Sequence, residues 1–283
     1  MGDVVDSLDG SSVDSLVAAW RPYYAASNEP TRLRDIARKL TVGAEGPVRI
    51  AGRRASGPFT LGATRVEDSA LDLLAGRTHD RPGETFQMLS DEVAYLKLSS
   101  IRVQDVEDYL RRAAGTEVLV VDIRNYPSEF VVFELGGRLV SRRTEFARFT
   151  GGDPVNPGAF AWGPPVALSP LEPAYDGTVV ILVDEVSLSQ AEYTAMALRA
   201  GPRAFVVGST TAGADGNVSP VPLPGGVGSL ISGIGVFYPD RTPTQQVGIV
   251  PDLVVRPTIE GIRAGRDEVL EAAVAYALAR GPQ

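Results

Sequence analysis

Four apolar runs decide the fold: "VAYLKLS" (93–99), "VLVVDIR" (118–124), "TVVILVD" (178–184) and "AFVVG" (204–208). Each has the length of a strand. The stretches "VQDVEDYLRRAAG" (103–115), "SEFVVFELGGRLV" (128–140) and "SQAEYTAMALRAG" (189–201) carry apolar residues at helical spacing. Strands apolar on both faces, alternating with amphipathic helices, predict a mainly parallel sheet covered on both sides. The core is therefore α/β, and "RDEVLEAAVAYALA" (266–279) closes it as a helix.

Outward from this core, residues 1–66 read as a small α+β module. It holds "DVVDSLDG" (3–10), a helix capped by Ser11 or Ser12, a break at Asn28 to Pro30 before "TRLRDIARKL" (31–40), and the β pieces "PVRIAG" (47–52) and "PFTLGATRV" (58–66). Residues 67–90 form a polar connector with one short helix at "EDSALDLLAG" (67–76), and the core occupies 91–283. Between Arg142 and Asp176 a Pro- and Gly-rich stretch contains Phe146, Phe149, Phe160 and Trp162. It is too long for an ordinary connector, which predicts a functional segment or one packed over a groove.

Composition narrows the function. Over 283 residues, 27 basic and 35 acidic side chains give a net charge of −8, a field that repels nucleic acid and anionic lipid. Cysteine is absent and histidine occurs once, which excludes thiolate catalysis, Cys-based metal sites and a His-rich metal centre. The glycines of "LPGGVGS" (223–229) and "TAGADGN" (211–217) fit neither the dinucleotide fingerprint nor the P-loop, so neither cofactor nor metal is expected. No apolar run approaches the roughly 18 residues of a membrane span, and the first residues have the pattern of no signal peptide.

Ser189 is the sharpest chemical candidate: it follows a buried strand and a short turn and opens a helix, where backbone N–H groups converge. Ser189-Gln190-Ala191-Glu192 is equally a capping box, the reading that pattern alone favours. His79, in "GRTHDRPG" (76–83), reads as an exposed loop residue, and Asp122, Asp184 and Asp252 as solvated or capping carboxylates at strand ends.

The ordered set "YLKLSSI" (95–101), "VLVVDIRNYPSEF" (118–130), "DEVSLSQAE" (184–192), "VGSTTAGADGN" (207–217) and "VGIVPDLVV" (247–255) resembles the carboxy-terminal (tail-specific) processing serine peptidases, in their tricorn-like and interphotoreceptor retinoid-binding protein-like branch. The resemblance implies a ClpP/crotonase-like core. It also implies that "GDVVDSLDG" (2–10) and "GPVRIAGRRASGPFTLGATRV" (46–66) belong to a PDZ-like module whose first strand is missing. It places the nucleophile at Ser189 and the oxyanion hole at the backbone N–H of Gln190 and of Ser128, where the family usually has paired glycines. Ala214 stands where the Ser-Lys branch has its base, and Gln245 where the Ser-His-Glu branch has its carboxylate.

In function, the resemblance implies a serine endopeptidase acting on polypeptides, which its PDZ-like module would engage by the C-terminal tail. The chain would be an amino-terminally truncated piece of an exported or periplasmic enzyme, with the histidine base outside it. The rival expectation is an inactive binder of peptides or apolar ligands on the same fold. An acyl-CoA enzyme of the crotonase type would want a basic nucleotide-binding patch, which the sequence does not offer. Because His79 follows the PDZ-like module instead of preceding it, His79→Ala is expected to leave any peptidase activity of this chain intact; abolition of cleavage in a peptide-release assay would identify it as the base.

Overall fold

The structure is a computed structural model that describes residues 2–70 and 81–281. The amino-terminal part builds one antiparallel sheet from β1 (Val4–Leu8), β2 (Ser11–Ser12), β3 (Gly46–Arg54) and β4 (Gly57–Arg65), in the order β2-β1-β3-β4. Two helices, α1 (Val13–Trp20) and α2 (Glu29–Lys39), fill the long connection between β2 and β3. Their starts are local chemistry. Ser12 caps α1 by accepting the Ser15 N–H, Asn28 caps α2 by accepting the Thr31 N–H, and Pro30 occupies the first turn, where its missing N–H costs nothing.

The rest of the chain winds a six-stranded sheet from β5 (Phe86–Met88), β6 (Val93–Lys97), β7 (Val118–Asp122), β11 (Thr178–Val183), β12 (Ala204–Gly208) and β16 (Leu253–Val254), in the order β16-β12-β11-β7-β6-β5. Every neighbouring pair is parallel except β5 with β6. The chain steps across this sheet in one direction from β6 to β16, and right-handed crossovers that advance in one direction lie on one face. That face buries α3 (Val106–Ala113), α4 (Val132–Gly136) and α5 (Gln190–Arg199) against Ala94, Leu96, Leu119, Val121, Ile181 and Val206. Val93, Tyr95, Val118, Val120, Val180, Leu182 and Val207 face the other way, onto α7 (Glu268–Arg280), which follows the short α6 (Ile259–Arg263). The two-sided burial explains the near-continuous apolar runs.

One expectation needs correction. The helix expected over 128–140 is only α4 and a 3-10 turn at Gly137–Leu139. Residues 128–131 are spent in the preceding turn, and a Cβ at Gly137 would lie 2.6 Å from the Ser169 carbonyl, so the chain approaches there too closely for other residues. The stretch 142–176, expected to be functional or packed over a groove, forms strands. It contributes β8 (Thr144–Gly152), β9 (Phe160–Trp162) and β10 (Val166–Leu168) to a second, antiparallel sheet completed by β15 (Ile234–Phe237), with Phe146 buried beneath it. Before β15, the pair β13 (Val218–Leu223) and β14 (Val227–Ser232) forms an exposed hairpin. The helix expected at 67–76 is described only as a 3-10 turn at Asp68–Ala70; the remainder of that stretch, and His79, lie outside the described residues.

Of the two roles expected for Asp122, solvated or capping, the structure shows the second: the carboxylate is buried and accepts the Arg124 N–H at 3.0 Å. It accepts from Arg124 Nη2 at 2.6 Å and from the Tyr95 hydroxyl at 2.8 Å. The same guanidinium reaches Asp267, the N-cap of α7, at 2.7 and 2.8 Å. One buried cation thus fastens the end of β7 to the helix on the far face. Removing one partner of such a pair leaves an uncompensated buried charge, so Arg124→Ala is expected to lose about 3–5 kcal/mol in urea unfolding, with Arg124→Lys recovering only part of it.

Candidate active site

The loops after β7, β11 and β12 lie side by side because these strands are neighbours and run parallel, so their carboxyl ends share one edge of the sheet. The loop after β11 is stitched to itself and to its neighbours. Ser187 N–H donates to the Asp184 carbonyl at 3.0 Å, Val186 N–H to Asp184 Oδ1 at 2.8 Å, and Ser187 Oγ to the Ile123 carbonyl at 2.8 Å. Ala212 N–H donates to the Ser187 carbonyl at 3.0 Å. This leaves Ser189 at a sharp strand-to-helix corner, half-buried, with φ 53° and ψ −120°. A non-glycine residue in that region is strained by roughly 1–3 kcal/mol.

Of the capping box, only one half is a hydrogen bond of proper geometry. Ser189 N–H donates to Glu192 Oε2 at 3.3 Å, whereas the Ser189 hydroxyl lies near the Glu192 N–H in a box-like arrangement without making a cap hydrogen bond. The contrast with the chain's other caps is direct. Ser12, Asn28 and Thr258 have extended backbone, with φ of −65°, −146° and −92°, and each accepts a helix N–H.

Glu192 is fully buried, yet every direction around its carboxylate is supplied with a donor. Gly213 N–H reaches Oε1 at 2.7 Å, Ala214 N–H reaches Oε2 at 2.9 Å, and the Thr211 hydroxyl donates to Oε1. Burial raises its pKa, and these three hydrogen bonds, with that from Ser189 N–H, oppose the rise. Gly213 takes φ +65° to present its N–H, and a Cβ there would sit 3.0 Å from the Gly248 nitrogen. The same turn is gripped from the amino-terminal module. Asn28 Nδ2 donates to the carbonyls of Thr211 at 2.7 Å and Val247 at 3.2 Å, and the Thr31 hydroxyl donates to Ala212 O at 3.1 Å.

Gln190, as the first residue of α5, has an N–H with no intrahelical carbonyl to meet. Its side chain crosses to the loop after β7, donating from Nε2 to Glu129 O at 2.8 Å, so the Ser189–Gln190 corner and the 125–130 turn are neighbours. Ser128 lies in that turn, but its N–H already donates to Leu98 O at 2.9 Å and its hydroxyl to Ile101 O. Gln245 reaches the site indirectly: Nε2 donates to Asp215 O at 2.8 Å and to Ile234 O at 3.0 Å, and Oε1 accepts the Val236 N–H at 3.2 Å. Its amide straps the 214–216 turn to β15. Around the corner stand exposed aromatic rings at Tyr126, Phe130 and Phe133; Phe130 stacks on Tyr193, one helical turn beyond Ser189, with centroids 6.2 Å apart.

Two polar residues here were not singled out from sequence. Asn125 is buried, and neither atom of its amide has a hydrogen-bond partner among the described residues. Asp215 is also buried: Oδ1 accepts the Gly216 N–H at 2.6 Å and Oδ2 has no partner among the described residues. Burial, with the Glu192 charge adding to it, pushes the Asp215 pKa up to about 7. No spacing rule marks either residue, because what distinguishes them is the absence of neighbours to bond.

The unfolded Asp215 carboxyl ionises near 3.8, whereas the folded one keeps its proton to about 7. The folded chain therefore binds more protons between those values, and stability contributed by this group falls as pH rises through that window, by up to about 1.4 kcal/mol per pH unit. Asp215→Asn is expected to flatten that decline in urea titrations from pH 4 to 7.5; an unchanged slope would mean the carboxyl ionises normally.

No curated protein matches the chain by sequence. Among solved structures, mature CPAF superposes with a TM-score of 0.72 at 14% identity, over 96% of this chain and 75% of that one. A putative peptidase from Parabacteroides merdae superposes with a TM-score of 0.61 at 21% identity, over 93% and 74%. At such identities the likeness is one of fold. The sequence pattern of peptidase family S41 matches residues 92–255, more than half of the chain and all three loops of the site. The chain belongs to peptidase family S41.

Proposed function

We propose that this protein is a serine endopeptidase of the tail-specific processing type, in which Ser189 Oγ attacks the scissile carbonyl. The observation that carries this reading is the backbone of Ser189. A pure N-cap has no use for φ 53°, and the caps Ser12, Asn28 and Thr258 all work from extended backbone. Strain of this kind persists only where the surroundings impose it, and here the stitched 184–188 loop and the Glu192 carboxylate do so. A hydroxyl so held opens the helix beside the Gln190 N–H, which would receive a tetrahedral oxyanion.

A serine hydroxyl is a weak nucleophile until a base takes its proton. Lys97 donates its ammonium protons to the carbonyls of Arg81 and Gly83, and the side chain at 214 is a methyl group, so the Ser-Lys arrangement does not apply. In this reading the base is a histidine from outside residues 1–283, and Gln245 holds the turn where a carboxylate would orient that imidazole. Ser128 N–H can act as second oxyanion donor only on release from Leu98 O. Residues 1–66 act as a PDZ-like module for the C-terminal tail of the substrate, 67–90 connect it, and 91–283 are the peptidase core. The grip of Asn28 and Thr31 on the 211–213 turn gives that module a physical connection to the site. The exposed rings of Tyr126, Phe130 and Phe133 suit apolar substrate side chains.

The second reading, a peptide binder without turnover, is favoured by the neutral residues Ala214 and Gln245 at both positions where a base or its partner would stand. A fluorophosphonate probe separates the two. Labelling at Ser189 once an upstream histidine-bearing segment is joined, lost in Ser189→Ala, is the expected result, with Ser189→Ala unfolding within about 0.5 kcal/mol of the parent because no cap hydrogen bond is lost. A cap alone gives no labelling and a loss of about 1 kcal/mol. Joining an upstream histidine-bearing segment is expected to raise cleavage of an unstructured polypeptide by roughly 100- to 10,000-fold.

A further inference from the structure

The turn between β7 and α4 is tied to the nucleophile's loop on both sides of Asn125. Two residues before it, the Ile123 carbonyl accepts from Ser187 Oγ at 2.8 Å; four residues after it, the Glu129 carbonyl accepts from Gln190 Nε2 at 2.8 Å. Asn125 is only 4% exposed, and among the described residues neither its Nδ2 nor its Oδ1 has a partner. Its neighbours are satisfied: the Arg124 guanidinium is paired with two carboxylates, and the N–H and hydroxyl of Ser128 both donate to carbonyls. Buried amides are almost always hydrogen-bonded, because leaving both atoms unmade penalises folding. A group kept this way against the folding free energy, on a turn fastened to Ser189's own loop, is placed for a partner that arrives later.

The chemistry of acyl transfer supplies that partner. As Ser189 Oγ bonds to the carbonyl carbon, its proton passes to the general base and the π electron pair moves onto the carbonyl oxygen. Collapse then expels the amine, which leaves with that proton. The transient oxyanion needs donors at about 3 Å, and one lost donor typically costs about 100- to 1,000-fold in kcat. Gln190 N–H is one such donor; Ser128 N–H is spent on Leu98 O. We infer that the side-chain amide of Asn125 donates the second oxyanion hydrogen bond, from Nδ2. The inference rests on Ser189 being the nucleophile.

The test measures the rate of Ser189 labelling by a fluorophosphonate, whose phosphonyl oxygen occupies the oxyanion position, together with the thermal midpoint, for the parent chain, Asn125→Ala and Asn125→Asp, each joined to the upstream histidine-bearing segment. The expected result is a fall of roughly 100-fold or more in labelling rate for Asn125→Ala, with a midpoint no lower than the parent's, since the variant removes an unsatisfied buried amide. Asn125→Asp, which sets a carboxylate against the developing charge, is expected to label no faster than Asn125→Ala. Parent-like labelling by Asn125→Ala overturns the inference while leaving Ser189 as nucleophile. A midpoint that drops in step with the labelling rate assigns Asn125 a structural role and overturns it too. A chain that is never labelled at Ser189 even when joined to the upstream histidine-bearing segment removes the reading on which the inference stands.

Discussion

The site depends on one buried carboxylate. Glu192 enters the interior at the start of α5 and gathers the N–H groups of Ser189, Gly213 and Ala214 with the hydroxyl of Thr211. Such a group is costly to bury unless its lone pairs are met, and here two loops that continue from different strands must come together to meet them. The carboxylate thereby fixes the corner at Ser189 and the turn at 211–214 relative to each other. Asn28 and Thr31 act on the outer side of that turn, so the amino-terminal sheet is locked to the same assembly.

Sheet topology explains why these loops meet at all. A chain that steps from β6 to β7, β11, β12 and β16 without reversing direction brings successive carboxyl ends along one edge. Residues 124–131, 184–189 and 209–217 are far apart in sequence, and they become neighbours through the order of three strands. Arg124 secures the first of them from below by pairing with Asp122 and with the cap of α7.

Stability and chemistry pull in opposite directions at this edge. The left-handed backbone of Ser189, and the amide of Asn125 and carboxyl of Asp215 that lack partners among the described residues, all disfavour folding, and they lie on the three loops within the span that matches peptidase family S41. Elsewhere Leu119, Ile181 and Leu135 are fully buried, and Arg138 Nε and the Tyr238 hydroxyl are further buried polar atoms without a partner among the described residues.

By itself, the sequence determined the parallel core, a serine cap at residue 11 or 12, and the candidacy of Ser189, because periodicity and capping chemistry act over a few residues and leave a local signature. It misjudged residues 128–140, where close packing shortens the helix, and assigned no element within 142–176, where strands form by antiparallel pairing with the distant β15. It also could not choose between cap and corner at Ser189. Both share the pattern Ser-x-x-Glu, and they differ in a backbone angle imposed by contacts with residues 123 and 212. The commitment of Ser128 to Leu98, the strap made by Gln245 and the isolation of Asn125 and Asp215 belong to tertiary structure alone. Whether a buried polar atom finds a partner is decided by residues distant in the chain, and no window of sequence contains them.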